Sequence, residues 1–277
     1  MWRFVVPSMV TSTSIVVGFL GIAEAVSGRF ESAAWLILLC VLLDKADGTV
    51  ARLLKASSRF GLELDSLSDL ITFGVAPAVL VLALLAKPPP GGLVQVLPHY
   101  GYLTYASAAL YVVAAALRLA KFNVVSDRYG STHFFGMPTT LVGALVCAYF
   151  LTVRKYDLSP IFVQILPLLL IVLALLMVSR IPLRKVGLRR SLAFNIFALT
   201  NVVGVYVFGI LRLFPEYLLT VAVVYMGLGS VWATLAGVRA PRGLDAPEAD
   251  GGAEEQRGKD RGQAPIDAGT EPAAKEA

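Results

Sequence analysis

Acidic residues are scarce in the apolar body of this chain, and they cluster. The first 237 positions hold ten, and five of these, Asp44, Asp47, Glu63, Asp65 and Asp69, fall within 26 positions. Four are aspartates abutting apolar runs, where a carboxylate costs about 2.5 to 3.5 kcal/mol at the centre of a spanning helix and less toward the interface. Asp44 and Asp47 are spaced i, i+3, and Asp65 and Asp69 are spaced i, i+4, so on two helices each pair projects from one face. The segment between them, Leu53-Leu54-Lys55-Ala56-Ser57-Ser58-Arg59-Phe60, reads as a short polar hinge that returns the second helix antiparallel to the first. All four carboxylates can then converge on one site at one end of the membrane. They cannot all ionise side by side without a cation. Oxygen ligands suit a hard divalent ion, Mg²⁺ or Mn²⁺, better than zinc, which takes His or Cys. His99 and His133 stand far from the cluster in sequence.

Small residues share the acidic faces: Gly48 and Ala51 follow Asp47 by one and four positions, and Gly61 precedes Asp65 by one turn. A missing side chain lets a neighbouring helix or a flat ligand approach closely. Helix packing, with surface ion pairs from the aspartates to Lys45, Arg52 and Arg59, is the plainer reading. Ion pairing alone does not require four carboxylates in paired helical register. A divalent-cation transporter would use the same ligands, but it would place further acidic or amide residues at mid-membrane, and the later spans offer little besides Asn195 and Asn201.

The elements that must carry these residues are membrane helices. Of the 277 residues, 57 % are hydrophobic and only 16 % charged, with a mean hydropathy of +0.72. An ordinary soluble domain carries about 25 % charge. A spanning helix needs roughly 20 apolar residues, so the pattern predicts an all-α integral membrane protein with about eight transmembrane helices, near 9–27, 32–54, 62–86, 102–122, 138–153, 160–180, 193–212 and 216–237. Lys87-Pro88-Pro89-Pro90-Gly91-Gly92, Pro138, Pro160, Pro182 and Pro215 mark the divisions. The first run is not read as a cleavable signal peptide, because another span follows after a few residues. With the N-terminus in the cytoplasm, 19 basic residues fall inside and 5 outside, the bias that sets orientation. The catalytic body is assigned to 1–237. Residues 238–277, rich in Gly, Ala, Pro and acidic side chains, are too polar to bury a core and are expected to form a disordered cytoplasmic tail. The body then carries 18 basic and 10 acidic side chains, a net of +8. Anionic lipid headgroups are its natural partner, and no nucleic acid is expected. Cys40 and Cys147 lie inside apolar runs and read as packing residues.

Written out, Asp44 to Asp69 is D-x2-D-G-x2-A-R-x8-G-x3-D-x3-D, carried by Asp44, Asp47, Gly48, Ala51, Arg52, Gly61, Asp65 and Asp69. This resembles the signature of the CDP-alcohol phosphatidyltransferases, membrane enzymes that transfer a phosphatidyl group from CDP-diacylglycerol to an alcohol and release CMP. Phe73-Gly74-Val75-Ala76-Pro77, Arg118 to Asn123, Phe135-Gly136-Met137-Pro138 and Ser179-Arg180-Ile181-Pro182 are similar to the phosphatidylserine synthase branch. The chain departs from that branch in having Pro7-Ser8 where Pro-Asn is frequent, Lys121-Phe122-Asn123 for Arg-Phe-Asn, and Pro138-Thr139 where Ser or Ala often follows the proline.

The resemblance implies two divalent cations, Mg²⁺ or Mn²⁺, held by Asp44, Asp47, Asp65 and Asp69, with Asp69 also the base that takes the proton of the incoming hydroxyl. It implies that Gly48, Ala51 and Gly61 face the nucleotide and Arg52 the diphosphate. Pro7 and Thr11 resemble positions near the nucleotide, and equally suit a helix-start proline and a threonine bonded to backbone. A homodimer in the cell membrane, the inner one in a bacterium, with its active site facing the cytoplasm, is also implied.

For the acceptor, L-serine brings a carboxylate and an ammonium beside its hydroxyl. Arg118 and Lys121, spaced i, i+3, with Asn123, could bind it, though the two cations could equally be snorkelling cytoplasmic residues. Glycerol 3-phosphate or inositol phosphate would need several cations, because a dianionic phosphate must be neutralised as well. The cytoplasmic basic residues outside the motif offer one close pair, and Arg184, Lys185, Arg189 and Arg190 fall in a loop.

Overall fold

The computed structural model describes residues 2–54, 58–87, 92–97, 99–129, 133–179, 181–184 and 192–235. The expected tail lies outside the described residues. Apolar runs become helices because a bilayer offers no partner for a free backbone group, and a helix satisfies its own. In order they are α1 (Trp2–Val26), α2 (Phe30–Leu53), α3 (Arg59–Asp69), α4 (Ala76–Leu84), α5 (Leu93–Val96), α6 (Tyr100–Tyr129), α7 (Thr139–Lys155), α8 (Ile161–Gln164), α9 (Leu166–Val178), α10 (Leu192–Ile210) and α11 (Pro215–Leu235).

Among the described residues, four stretches are long and apolar enough to cross a bilayer, by length and composition: Val6–Val26, Arg59–Leu84, Tyr100–Val124 and Ile161–Val178. The sequence reading expected eight. Of the others, α2 is diluted by Glu31, Asp44, Lys45, Asp47 and Arg52, and α7 has only 17 residues. The chemistry of the acidic helix thus works against its apolar character.

Helix α1 ends in a Schellman turn, in which the Arg29 N–H reaches the Glu24 carbonyl at 2.9 Å and the Gly28 N–H the Ala25 carbonyl at 3.0 Å. Gly28 takes the left-handed conformation this requires, with φ of 80°, and the chain reverses so that α2 packs along α1. After the hinge, Ser58 caps α3: its Oγ accepts from the Gly61 N–H at 3.0 Å.

Helices α3 and α4 are one rod joined by a π-helical segment, Leu70–Val75, that begins directly after Asp69. Such segments are rare and recur at functional sites. Close packing surrounds it: a Cβ added at Gly143 of α7 would lie 2.9 Å from Phe73 Cβ and 3.0 Å from Phe73 Cα. Phe73 joins Ile37, Leu80 and Phe150 in one buried cluster, while Tyr111, Leu145, Leu170 and Met177 form a second between α6, α7 and α9. Cys40 and Cys147 are free and buried, as their apolar settings suggested.

One departure from an all-helical chain is a short antiparallel pairing of β1 (His133–Phe135) with β2 (Pro182–Arg184), Phe135 opposite Pro182. It joins two of the segments singled out in the sequence. The strap continues through Gly136, whose N–H donates to the Ile181 carbonyl at 3.0 Å, and Met137, whose N–H donates to the Leu176 carbonyl at 3.1 Å. Gly136 has φ of 80°, and a Cβ there would sit 2.2 Å from the Met177 carbonyl oxygen. Only glycine fits. Pro138, extended at ψ of 135°, then launches α7 at Thr139.

Candidate active site

The paired spacings do what the helical period requires. Asp44 and Asp47, from the second half of α2, and Asp65, from α3, bring one carboxylate oxygen each within 4.8 Å of one another. Asp69 is not one of this trio. It lies one turn further along α3, within electrostatic reach of Asp44, Asp65 and Arg118. The structure therefore gathers all four around one locus, with three tightly grouped and the fourth beside them.

Asp47 is the most enclosed of the trio, 6 % exposed, and its Oδ2 lies 2.8 Å from the Thr11 hydroxyl of α1. The same hydroxyl lies 3.1 Å from the Pro7 carbonyl. With one proton, Thr11 donates to one of these at a time, so the backbone-bonded threonine and the site threonine are both realised. Pro7 is buried beneath it.

Lys45 approaches Asp44 at 3.6 Å but is itself largely exposed. One such pair cannot balance four carboxylates. A hard cation fits this all-oxygen donor set, and inward-facing carboxylates in a membrane body are hard to account for otherwise.

The small residues separate into two kinds. A Cβ added at Gly48 would meet nothing within 4 Å among the described residues, so no packing contact there explains that glycine and the space beside Asp47 is open to them. At Gly61 a Cβ would come 3.2 Å from Ser58 Oγ, so its smallness serves the α3 cap. Ala51 and Arg52 lie on the same helix, α2, and their side chains fall outside the described residues.

The expected acceptor residues also divide. Arg118 is 9 % exposed and donates from Nη1 to the Thr139 hydroxyl at 3.0 Å, while its Nε is buried without a hydrogen-bond partner among the described residues. Its charge faces Asp69 and Asp44. Asn123 instead ties α6 to α3, accepting from Ser66 Oγ at 3.1 Å and donating to Glu63 Oε2 at 3.4 Å. Lys121 is half-buried on α6. Thr139 escaped sequence reasoning, although a hydroxyl directly after the Met137-Pro138 segment was a visible signal. So did Tyr206 of α10, which lies within electrostatic reach of Asp44.

Residues 4–179, which hold every one of these groups except Tyr206, match the family model described as CDP-alcohol phosphatidyltransferase. The chain belongs to that family. Among similar proteins is the CDP-diacylglycerol–serine O-phosphatidyltransferase of Helicobacter pylori strain ATCC 700392 / 26695, 35 % identical over 153 residues, covering 55 % of this chain and 60 % of that protein. The Bacillus subtilis strain 168 protein of the same name is 34 % identical over 160 residues, 58 % of this chain and 80 % of its own length. The archaetidylserine synthase of Methanothermobacter thermautotrophicus strain Delta H is 32 % identical over 164 residues, 57 % of this chain and 63 % of that protein. The chain thus spans less than two thirds of the Helicobacter and Methanothermobacter relatives. The matched region contains the signature aspartates, the π-helical segment and Thr139.

Proposed function

We propose that the protein transfers the phosphatidyl group of CDP-diacylglycerol to L-serine, giving phosphatidylserine and CMP. The observation that carries this reading is the convergence of Asp44, Asp47 and Asp65 beside Asp69, together with open space at Gly48 and a buried guanidinium, Arg118, facing Asp69 and Asp44. The names of the similar synthases support serine as the acceptor.

Asp44, Asp47, Asp65 and Asp69 would hold two Mg²⁺ or Mn²⁺ ions, which supply charge neutralisation for the diphosphate and for the oxygens of the displacement. Thr11 keeps Asp47 oriented by donating to its Oδ2. The open face at Gly48, continued by Ala51 and the start of α3 at Gly61, takes the cytidine, and Arg52 takes the diphosphate. Asp69 accepts the serine hydroxyl proton while the serine oxygen bonds to the lipid-bearing phosphorus. The bond from that phosphorus to the oxygen of CMP breaks, and CMP leaves. Arg118, with Lys121 and Asn123 nearby on α6, binds the serine carboxylate beside the base.

The same reading sets eight spans, both termini and the active site on the cytoplasmic side of the cell membrane, a solvated tail over 238–277, contact with anionic lipid, and a homodimer. It is tested with purified protein in detergent, CDP-diacylglycerol, Mn²⁺ and a panel of acceptors, measuring CMP. L-serine should give the fastest release. Faster release with glycerol 3-phosphate or inositol phosphate would overturn the acceptor, and no release with any alcohol would overturn the transfer.

A further inference from the structure

Arg118 is the one buried cation facing the carboxylate locus among the described residues, and it is held in an unusual way. Nη1 donates to Thr139 Oγ1 at 3.0 Å, the Phe122 ring lies 5.8 Å from the guanidinium carbon, and Nε has no hydrogen-bond partner among the described residues. A guanidinium has its Nη1 on the side of Cδ, so a bond from Nη1 turns the opposite edge, the fork of Nε with Nη2, away from Thr139. That edge matches a carboxylate with two parallel hydrogen bonds. A buried donor left unpaired is costly, so its retention beside the site calls for a ligand.

Thr139 has no exposure at all and stands at the first position of α7. Its place is fixed from behind by the β1–β2 strap, the left-handed Gly136 and the Met137 bond to Leu176. The hydroxyl that holds Arg118 is therefore anchored on backbone that is itself hydrogen-bonded to the end of α9 and to β2.

We infer that Thr139 is a positioning residue for the acceptor: by holding Nη1 it aims the Nε edge of Arg118 at the carboxylate of the amino-acid alcohol. This rests on serine being the acceptor. Discrimination for serine over 2-aminoethanol, which lacks only the carboxylate, is then set partly by a residue that touches neither substrate.

The test is steady-state CMP release by the full-length protein in detergent, comparing Thr139→Val, Thr139→Ala and Thr139→Ser with the wild type. Val keeps the shape without the hydroxyl, Ala removes it without adding bulk should Val not fold, and Ser keeps it. The Val or Ala variant should raise KM for L-serine about ten- to a hundredfold, the scale of a hydrogen bond to a charged group. KM for CDP-diacylglycerol and kcat at saturating serine should stay near wild type, and Ser should restore KM. The kcat/KM ratio of serine to 2-aminoethanol should fall by the same factor. An unchanged serine KM in a folded Val or Ala variant, or equal losses for both alcohols, overturns the positioning role. A wild type that releases no CMP with serine overturns the underlying function instead.

Discussion

The Tyr111 hydroxyl of α6 donates to the Phe73 carbonyl at 2.8 Å, and both residues are fully buried. Phe73 sits in the π-helical segment that follows Asp69, where the widened turn bonds the Ala76 N–H to the Ile71 carbonyl. Tyr111 satisfies a main-chain acceptor there and fastens α6, which carries Arg118, to the rod that carries Asp65 and Asp69. This buried bond joins the two halves of the site deep in the membrane body, in addition to the bonds of Asn123 to Ser66 and Glu63.

Tyr111→Phe removes that donor and leaves the carbonyl buried, at a cost of about 1–3 kcal/mol. Thermal unfolding in detergent should show a lower Tm, and CMP release should fall as α6 and the rod lose register. A Tm equal to wild type would mean that the bond does not fasten the two elements.

Two glycine substitutions should fail differently. At Gly143 an added methyl meets Phe73 backbone at 3.0 Å, so Gly143→Ala should destabilise by about 1–3 kcal/mol through overpacking. At Gly48 an added methyl meets nothing within 4 Å among the described residues, so Gly48→Ala should fold normally and instead raise KM for CDP-diacylglycerol. Thermal unfolding and substrate titration of both variants separate these effects. A destabilised Gly48→Ala, or an unchanged KM, would remove the nucleotide from that face.

The acidic constellation was legible because spacings of three and four residues have a fixed meaning on a helix, and because a carboxylate in an apolar run needs a reason. Its finer grouping was not. Spacing puts Asp65 and Asp69 on one face, but it cannot say which of them meets α2 first. The π-helical segment left no periodic signal, since Leu70–Val75 holds no charged residue and its one polar side chain, Thr72, is buried. The β1–β2 strap uses strands of three residues, too short for alternation to register, and joins segments about 50 positions apart. Arg118 was recognisable as a cation on α6, whereas its bond to Thr139 depends on how α7 starts. Asn123 was recognisable as a polar residue beside Arg118, whereas its bonds to Ser66 and Glu63 depend on how α6 packs on α3.

Orientation is checked at the ends of the rod. Arg59 and Lys87 flank the stretch Arg59–Leu84, which is long enough to cross the bilayer. In a background with Cys40 and Cys147 replaced, single cysteines at these positions should react with an impermeant thiol reagent from opposite sides, the Arg59 position from the cytoplasm. Labelling from the same side would break the topology.

The central claim, that the aspartates of α2 and α3 form one transferase site with Asp69 as the base, meets its most direct test in Asp69→Asn. This change keeps the shape and removes the proton acceptor. The variant should insert and unfold like wild type while serine-dependent CMP release at saturating Mn²⁺ falls by at least about a hundredfold. Near-normal CMP release from a folded Asp69→Asn protein would contradict the account.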